Sequence, residues 1–342
     1  MDGVGWRYIK TRKPWAIDKY KKQLSDEIEY WTFIQYLFFK QWKKLKDYAN
    51  KQGIRIIGDV PFYIAADSVD TWSKSEIFKI DKNTYKPIVV SGCPPDAFSK
   101  TGQLWGNLIY DWNAIKKQNY KWWISRIEES LNLYDVIRID HFRGFESFWE
   151  VPYGDSTAEN GKWEKGPGKE IFDVIENKLG KVDIIAEDLG YLTDEVKKLL
   201  KDTGFPGMKV LQFAFSGANT NYYLPHKYRR NCIAYTGTHD NDTCKGWFDK
   251  TGDRQEVLNA KKYLGLNNEE GYNFGFLRGV WSSVADIAIA PMQDFLNLGN
   301  DSRMNLPSSF GGNWSWRVRK YQLDDDICKK IYDLSYRYGR VD

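Results

Sequence analysis

Three short segments of the chain end an apolar run in a carboxylate. In Ile137-Arg138-Ile139-Asp140-His141-Phe142-Arg143-Gly144, an arginine stands two residues before an aspartate. Side chains alternate across an extended strand, so Arg138 and Asp140 share one face and Ile137 and Ile139 the other. A guanidinium nearby favours the ionised carboxylate, which suits a nucleophile at a strand's C-terminal end. A purely structural Arg–Asp pair explains the same spacing equally well. In Ile184-Ile185-Ala186-Glu187-Asp188-Leu189-Gly190, the carboxyl of Glu187 follows apolar or small residues. Such surroundings raise a carboxyl pKa and suit a general acid, although a Glu here can also cap the next helix. In Tyr235-Thr236-Gly237-Thr238-His239-Asp240-Asn241-Asp242-Thr243, His239 and Asp240 stand where a strand gives way to a polar loop. They can bind sugar hydroxyls, and Asn and Asp are equally at home in turns. Together, Asp140, Glu187 and Asp240 end three strands of one expected sheet. Retaining glycoside chemistry needs a nucleophilic carboxylate and an acid/base carboxyl about 5–5.5 Å apart. A third acid can stabilise the oxocarbenium-like transition state.

Six short apolar segments supply the strands: Ile54–Val60, Val136–Asp140, Val182–Glu187, Met208–Phe213, Ile233–Thr236 and Ile287–Met292. Most are β-branched and carry little charge before their last position, as strands buried on both faces of a parallel sheet do. Helical patterns lie between them. Asp26 to Asn50 reads as a long amphipathic helix with Ser25 as N-cap, and Asn119 to Leu133 as a second. Thr193 to Asp202 reads as a third, capped by Thr193 and stopped by Gly204. Strand–helix alternation implies an α/β fold with its polar residues at the strands' C-terminal ends. The connection from Pro61 to about Trp112 is long and rich in Gly, Pro, Ser and Asp, and reads as an inserted subdomain bordering the site. A closed barrel needs eight strands, and six are legible.

The composition narrows the function classes. The 342 residues carry 50 Lys and Arg against 46 Asp and Glu, a net charge of +4, so no basic nucleic-acid face follows from the total. No apolar run is long enough to span a membrane, and the first residues do not read as a secretory signal, so a cytoplasmic protein is expected. Cys93, Cys232, Cys244 and Cys328 form no C-x-x-C pair, and His141, His226 and His239 show no zinc spacing, so no metal site is indicated. Aromatic residues reach 16%. A bulky core accounts for that, and so does a site that stacks rings on sugar faces.

The motifs resemble those of the α-amylase clan, and more finely the 4-α-glucanotransferases of the amylomaltase (disproportionating enzyme) type. The resembling strings are Gly58-Asp-Val-Pro-Phe-Tyr-Ile-Ala-Ala-Asp-Ser-Val-Asp-Thr-Trp72, Pro94-Pro-Asp-Ala-Phe-Ser99 with Gly102-Gln-Leu-Trp-Gly-Asn107, and the three carboxylate segments. Arg303-Met-Asn-Leu-Pro307 with Gly312-Asn-Trp-Ser-Trp-Arg317 is a further one. The likeness runs from about Glu29 to Arg317.

This resemblance implies a (β/α)8 TIM barrel and transfer of α-1,4-glucan segments through a covalent glucosyl-enzyme. It implies Asp140 as nucleophile, Glu187 as acid/base and Asp240 as transition-state stabiliser. Arg138, His239 and Asp59 are implied as sugar contacts. Asp96, Gln103 and Trp105 are implied on the acceptor side, and Asn305 and Trp316 as further contacts. The family uses no nucleotide or organic cofactor. The implied partners are a maltooligosaccharide donor and a glucose or maltooligosaccharide acceptor, with neither nucleic acid nor membrane. Family members carry a longer N-terminal part, and nothing before Glu29 resembles it. The chain therefore reads as one catalytic barrel domain, residues 1–342, N-terminally truncated and lacking the first two strands. Its open edges would be Ile54–Val60 and Ile287–Met292, and self-association through them is expected. The competing functions are an α-glucan hydrolase with the same carboxylates and a catalytically impaired glucan-binding fragment.

Overall fold

A computed structural model of the protein describes residues 8–95, 99–190, 192–217, 221–251, 255–307, 309 and 311–341. The chain divides into two compact units, residues 1–205 and 206–342, and each has its own apolar core.

The first unit opens with two helices, α1 (Pro14–Gln23) and α2 (Ser25–Lys51), followed by strand β1 (Ile57–Val60). Next come β2 (Val89–Cys93), β3 (Gln103–Leu108), helix α3 (Lys121–Leu133), β4 (Val136–Ile139), β5 (Ser147–Pro152) and β6 (Lys162–Lys165). Helix α4 (Glu170–Leu179), β7 (Ile184–Ala186) and α5 (Asp194–Thr203) complete it. Strands β1, β4 and β7 lie parallel in that order, with Asp59 opposite Arg138 and Ile139 opposite Ala186. Every residue of β4 is buried. Ile137 and Ile139 share a core with Trp123 and Ile127, which stand one turn apart on α3. The alternation expected for the Asp140 segment is thus what seats it.

A second sheet is antiparallel, in the order β3-β2-β5-β6. The long connection from Pro61 to Trp112 supplies two of its strands, and residues 147–165 supply the other two. The β5–β6 hairpin did not register in the sequence because its strands are short and β6, Lys162-Trp-Glu-Lys165, is mostly charged. Its partners lie far away along the chain.

The helices confirm and correct the reading. Thr193 caps α5 by accepting from the Val196 amide, and Gly204 ends it in the left-handed conformation. Helix α3 starts at Lys121 rather than Asn119, because Asn119 and Tyr120 both have positive φ. Ser25 is not a cap: it is the first helical residue, and its hydroxyl bonds Asp26. Helix α2 also lacks the buried face of an amphipathic helix, since none of its residues is buried. Its C-terminal part is tied down by polar contacts, from Trp42 Nε1 to the Leu133 carbonyl (2.8 Å) and from Lys46 Nζ to the Tyr134 carbonyl (3.0 Å).

The second unit holds β8 (Gly207–Val210), β9 (Cys232–Tyr235), helices α6 (Cys244–Thr251) and α7 (Tyr272–Trp281), β10 (Ile287–Ile289) and α8 (Met292–Phe295). Its strands are parallel in the order β8-β9-β10. The segment expected as a strand from Met208 to Phe213 stops at Val210, where Leu211–Phe213 form a 3-10 turn. Helix α7 is apolar nearly all round. Its Phe276, Leu277 and Val280 are fully buried with Leu211, Trp247 and Phe295. Among the described residues no helix is long and apolar enough to cross a membrane.

Gly58 ties this packing to the site, because it precedes Asp59 on β1. A Cβ there would lie 2.0 Å from the Tyr134 ring. Gly58→Ala therefore forces β1 or the ring to move and should destabilise the fold by roughly 1–3 kcal/mol. Urea denaturation checks this, and an unchanged midpoint would contradict it.

Candidate active site

The candidate residues fall in both units, and each group is described within its own. In the first unit the parallel ladder does the positioning. The Asp140 amide donates to the Val60 carbonyl, and the Glu187 amide donates to the Ile139 carbonyl, each at 3.0 Å. The pairing thus runs one residue past the strands and sets Asp140 and Glu187 at the ends of neighbours. Neighbouring strands lie about 4.8 Å apart. Arg138 is buried, 8% exposed, and spans two carboxylates. One terminal nitrogen pairs with Asp59 across the β1–β4 register, and the other lies 3.2 Å from Asp140 Oδ1. Burial opposes its charge, but Asp59, Asp140 and Glu187 together outweigh this and hold the guanidinium above its ordinary pKa.

Glu187 has the opposite environment. Desolvation, and then the Asp140 charge, push its carboxyl up to about 7, against the pull of Arg138 and of two backbone amides. Those amides belong to His141, 2.8 Å from Oε2, and Leu189, 2.7 Å from Oε1. His141 reaches Glu187 because it adopts the left-handed conformation (φ 51°, ψ 48°), which turns the chain immediately after Asp140. Its ring is enclosed, and burial and then Arg143 push its pKa down to about 3, so it is neutral near pH 7. His141 stood within the Asp140 motif, but its contribution is a backbone N–H and no side-chain rule points to it.

Aromatic rings flank this group. Trp105, on β3, is part-exposed and meets the His141 ring edge-on at 5.0 Å, while its indole N–H donates to Gln103 Oε1 (3.1 Å). Tyr63 stacks on His141 at 5.8 Å and also meets Trp105 at 6.2 Å. Asp59, Arg138, Asp140 and Glu187 therefore form one cluster, and Gln103 and Trp105 join it through His141. Asp96 lies outside the described residues.

In the second unit, His239 and Asp240 follow β9. Asn305 Nδ2 donates to Asp240 Oδ1 at 2.6 Å, and His239 Nε2 stands 3.3 Å from Asp240 Oδ2. Arg303 was not singled out from the sequence, yet its guanidinium gathers this loop. It bonds the Asp240 carbonyl, Asp242 Oδ1 (2.6 Å) and the Asn305 carbonyl (2.7 Å). The ring beside His239 is Trp314, at 5.0 Å, two residues before the expected Trp316. A carboxyl paired with a guanidinium beside a desolvated carboxyl raised to about 7, with sugar-sized aromatic faces nearby, can do acid-assisted nucleophilic displacement at an acetal carbon.

Comparison with known proteins agrees with that chemistry. Residues 3–323 match the family model described as 4-alpha-glucanotransferase. The chain belongs to the 4-alpha-glucanotransferase family. A 4-alpha-glucanotransferase of Clostridium butyricum is 58% identical over 334 residues, which is 98% of this chain and 69% of that protein. The solved structure of the amylomaltase from Streptococcus agalactiae in complex with acarbose superposes with a TM-score of 0.94 at 42% identity, over 98% of this chain and 68% of that one. The amylomaltase from Corynebacterium glutamicum shares the fold at 16% identity, with a TM-score of 0.74 over 99% of this chain and 55% of that one. The expected fold class holds: α/β with parallel strands, of the incomplete (β/α)8 type, six such strands being described against the eight of a closed barrel. The chain is accordingly a transferase of carbohydrate metabolism.

Glu187 links this chemistry to stability. Its folded pKa is raised above that of the unfolded chain, so below the ordinary Glu value both states hold the proton and nothing is lost. Between that value and about 7 the unfolded chain ionises while the folded chain keeps its proton, so stability falls across this window and the loss is complete above about 7. Glu187→Gln should raise the Tm relative to the parent at about pH 8 and leave it nearly unchanged at about pH 4. Thermal scans at both pH values test this. An equal difference at the two would contradict it.

Proposed function

We propose that this chain transfers α-1,4-glucan segments by a retaining double displacement, with Asp140 as nucleophile and Glu187 as acid and base. The observation that carries the reading is the contrast between the two carboxyls. Asp140 is held by the Arg138 guanidinium, while desolvation and the Asp140 charge keep Glu187 largely protonated until about pH 7. In the first step Asp140 attacks the anomeric carbon of a maltooligosaccharide donor. Glu187 gives its proton to the departing glycosidic oxygen, and a glycosyl–Asp140 ester forms. In the second step the glucose or maltooligosaccharide acceptor loses a hydroxyl proton to Glu187. Its oxygen attacks the same carbon, and Asp140 leaves as the carboxylate. Inversion occurs twice, so the α-linkage is retained.

The remaining roles follow from the motifs and contacts. Arg138 holds Asp140 by their ion pair and, with Asp59, faces the sugar. Asp240, oriented by Asn305 and His239, holds sugar hydroxyls and stabilises the oxocarbenium-like charge. Residues 61–112, including Asp96, Gln103 and Trp105, border the acceptor side, where a bound sugar must exclude water for transfer to outrun hydrolysis. The setting we propose is the cytoplasm. We also propose self-association, because α2 exposes Tyr30, Trp31, Phe33, Phe38 and Phe39, and the edge residues Ile57 and Ile287 are exposed as well. Light scattering across a concentration series checks this, and a single monomeric mass throughout would count against it.

Incubation with maltotriose tests the function directly. Products should include both shorter and longer maltooligosaccharides, and a series of shorter sugars alone would favour the hydrolase. The kcat/KM profile should fall on its alkaline side near pH 7 as Glu187 loses its proton. Asp140→Asn should fold and lose turnover by at least about 10³-fold, and a purified variant with near-parental rates would remove Asp140 as nucleophile. Trp105→Ala should raise hydrolysis relative to transfer, read from glucose release against chain-length distribution. An unchanged ratio would exclude Trp105 from the acceptor side.

A further inference from the structure

The seven residues from Gly237 to Thr243, which carry His239 and Asp240, run between β9 and α6. Both ends of this loop meet one buried side chain. Asp294, on α8, is 1% exposed. Its Oδ2 accepts from Thr236 Oγ1 at 2.5 Å, and its Oδ1 accepts from the Cys244 amide at 2.6 Å. Thr236 is the first residue beyond β9, and Cys244 is the first of α6. From a third element, α7, Asn273 Nδ2 donates to the Asp294 carbonyl at 2.9 Å and fixes the backbone that carries the carboxylate.

No cation pairs with Asp294 among the described residues, and the titratable group facing it is the buried Cys244 thiol, itself pushed up by burial and by the Asp294 charge. Burial pushes the Asp294 carboxyl up to about 6, so near pH 7 it is mostly ionised and can only accept. An unpaired buried carboxylate is a costly way to fill space, and an apolar side chain of similar size would pack at less expense. Other groups grip the loop as well. The Asn305 amide donates to the His239 carbonyl (3.1 Å), Gln212 donates its backbone amide to the Thr236 carbonyl (3.2 Å) and its Nε2 to the Asp242 carbonyl (2.8 Å), Asn300 Oδ1 accepts from the Thr243 amide (3.1 Å), and Arg303 holds Asp240 and Asp242. Asp294 differs from these in holding Thr236 and Cys244 with the two oxygens of one buried carboxylate.

We propose that Asp294 is a positioning residue for glycosyl transfer: by clamping Thr236 to Cys244 it sets the span of the loop and so the place of the Asp240 carboxylate. This rests on the reading of Asp240 as the transition-state stabiliser. Asp294 touches no sugar and acts only through the loop. A catalytic group misplaced by about 1 Å can lose 10²-fold in rate, so the clamp matters to turnover well before it matters to folding.

A double-mutant cycle on the full chain tests the proposal, with maltotriose as substrate and long incubations for the slow variants. Asp294→Ala should lower kcat by about 10²-fold with KM changed by less than about 3-fold. Asp240→Asn should be slower still, and the pair together should be no slower than Asp240→Asn alone. Losses that multiply in the double variant would overturn the proposal while leaving Asp240 in its role. Near-parental turnover in Asp240→Asn would overturn the reading of Asp240 and the proposal with it. Two further variants keep the test open if Asp294→Ala does not fold. Asp294→Asn keeps an acceptor for Cys244, and its amide can donate to Thr236 Oγ1, so its kcat should stay within about 10-fold of the parent. Thr236→Val removes one strut isosterically and should lower kcat about 10-fold. An Asn variant slowed by about 10²-fold or more, or a Val variant at the parental rate, would overturn the clamp.

Discussion

The buried Arg138 guanidinium is the constraint on which the first unit's chemistry depends. A guanidinium taken out of water must be paired on more than one side, and the parallel register of β1 against β4 supplies Asp59 directly opposite it. Its second partner is Asp140, two residues on and on the same face. That arrangement leaves a net negative group at the end of β4. The β4–β7 register places Glu187 next to it, where desolvation first and the Asp140 charge second push its carboxyl up to about 7. The contrast between the ion-paired and the raised carboxyl therefore comes from strand register, burial and one cation. The helices and the aromatic core are what keep that register from slipping.

Much of this was legible in the sequence because it rests on short-range rules. Period-two alternation placed Arg138 and Asp140 on one face, and unbroken apolar runs marked the strands as buried on both sides. Thr193 and Gly204 announced the ends of α5 by their own chemistry. What escaped depends on distant partners. Strands β5 and β6 gain their identity only by pairing with β2 across the chain, and Lys162-Trp-Glu-Lys165 alone carries no strand signal strong enough to compete with a loop. The left-handed turn at His141 could not be foreseen from a histidine, because its stabilisation comes from a carboxylate 46 residues away. Asp294 sits in an apolar-looking segment after β10, and only the fold shows that the two ends of the Asp240 loop converge on it.

Helix α2 shows the opposite failure, in which a local pattern promised burial that the described residues do not supply. Its aromatic residues lie on several sides rather than in one stripe: Tyr30, Trp31, Phe33, Tyr36, Phe38 and Phe39 are all about half exposed. Its contacts with α3 and the following turn are made by Trp42, Lys46 and Asn50, largely through hydrogen bonds to carbonyls. Charge is divided along it as well, with Asp26, Glu27 and Glu29 at the start and Lys40, Lys43, Lys44 and Lys46 later. Acids at the N-terminus and bases toward the C-terminus suit the helix dipole, so the helix is stabilised along its own axis while its apolar surface remains open.

The two units share a strategy of placing an unfavourable carboxyl where a loop must be held. Glu187 is raised to about 7 and Asp294 to about 6, each chiefly by desolvation. Each accepts from backbone amides that begin the polypeptide beyond a strand: His141 after β4 and Leu189 after β7 for Glu187, and Cys244 at the start of α6 for Asp294. Neither arrangement is what stability alone would select, since a hydrophobic isostere avoids the desolvation cost. Buried aromatic cores offset that cost, with Trp123, Phe142 and Phe145 in the first unit and Phe276, Trp247 and Phe295 in the second. The unusual aromatic content of the chain thus serves more than one end. Part of it is core, part lies exposed on α2, and Trp105 and Trp314 stand beside His141 and His239. A core this heavy is what allows two destabilising carboxyls to be kept in fixed positions.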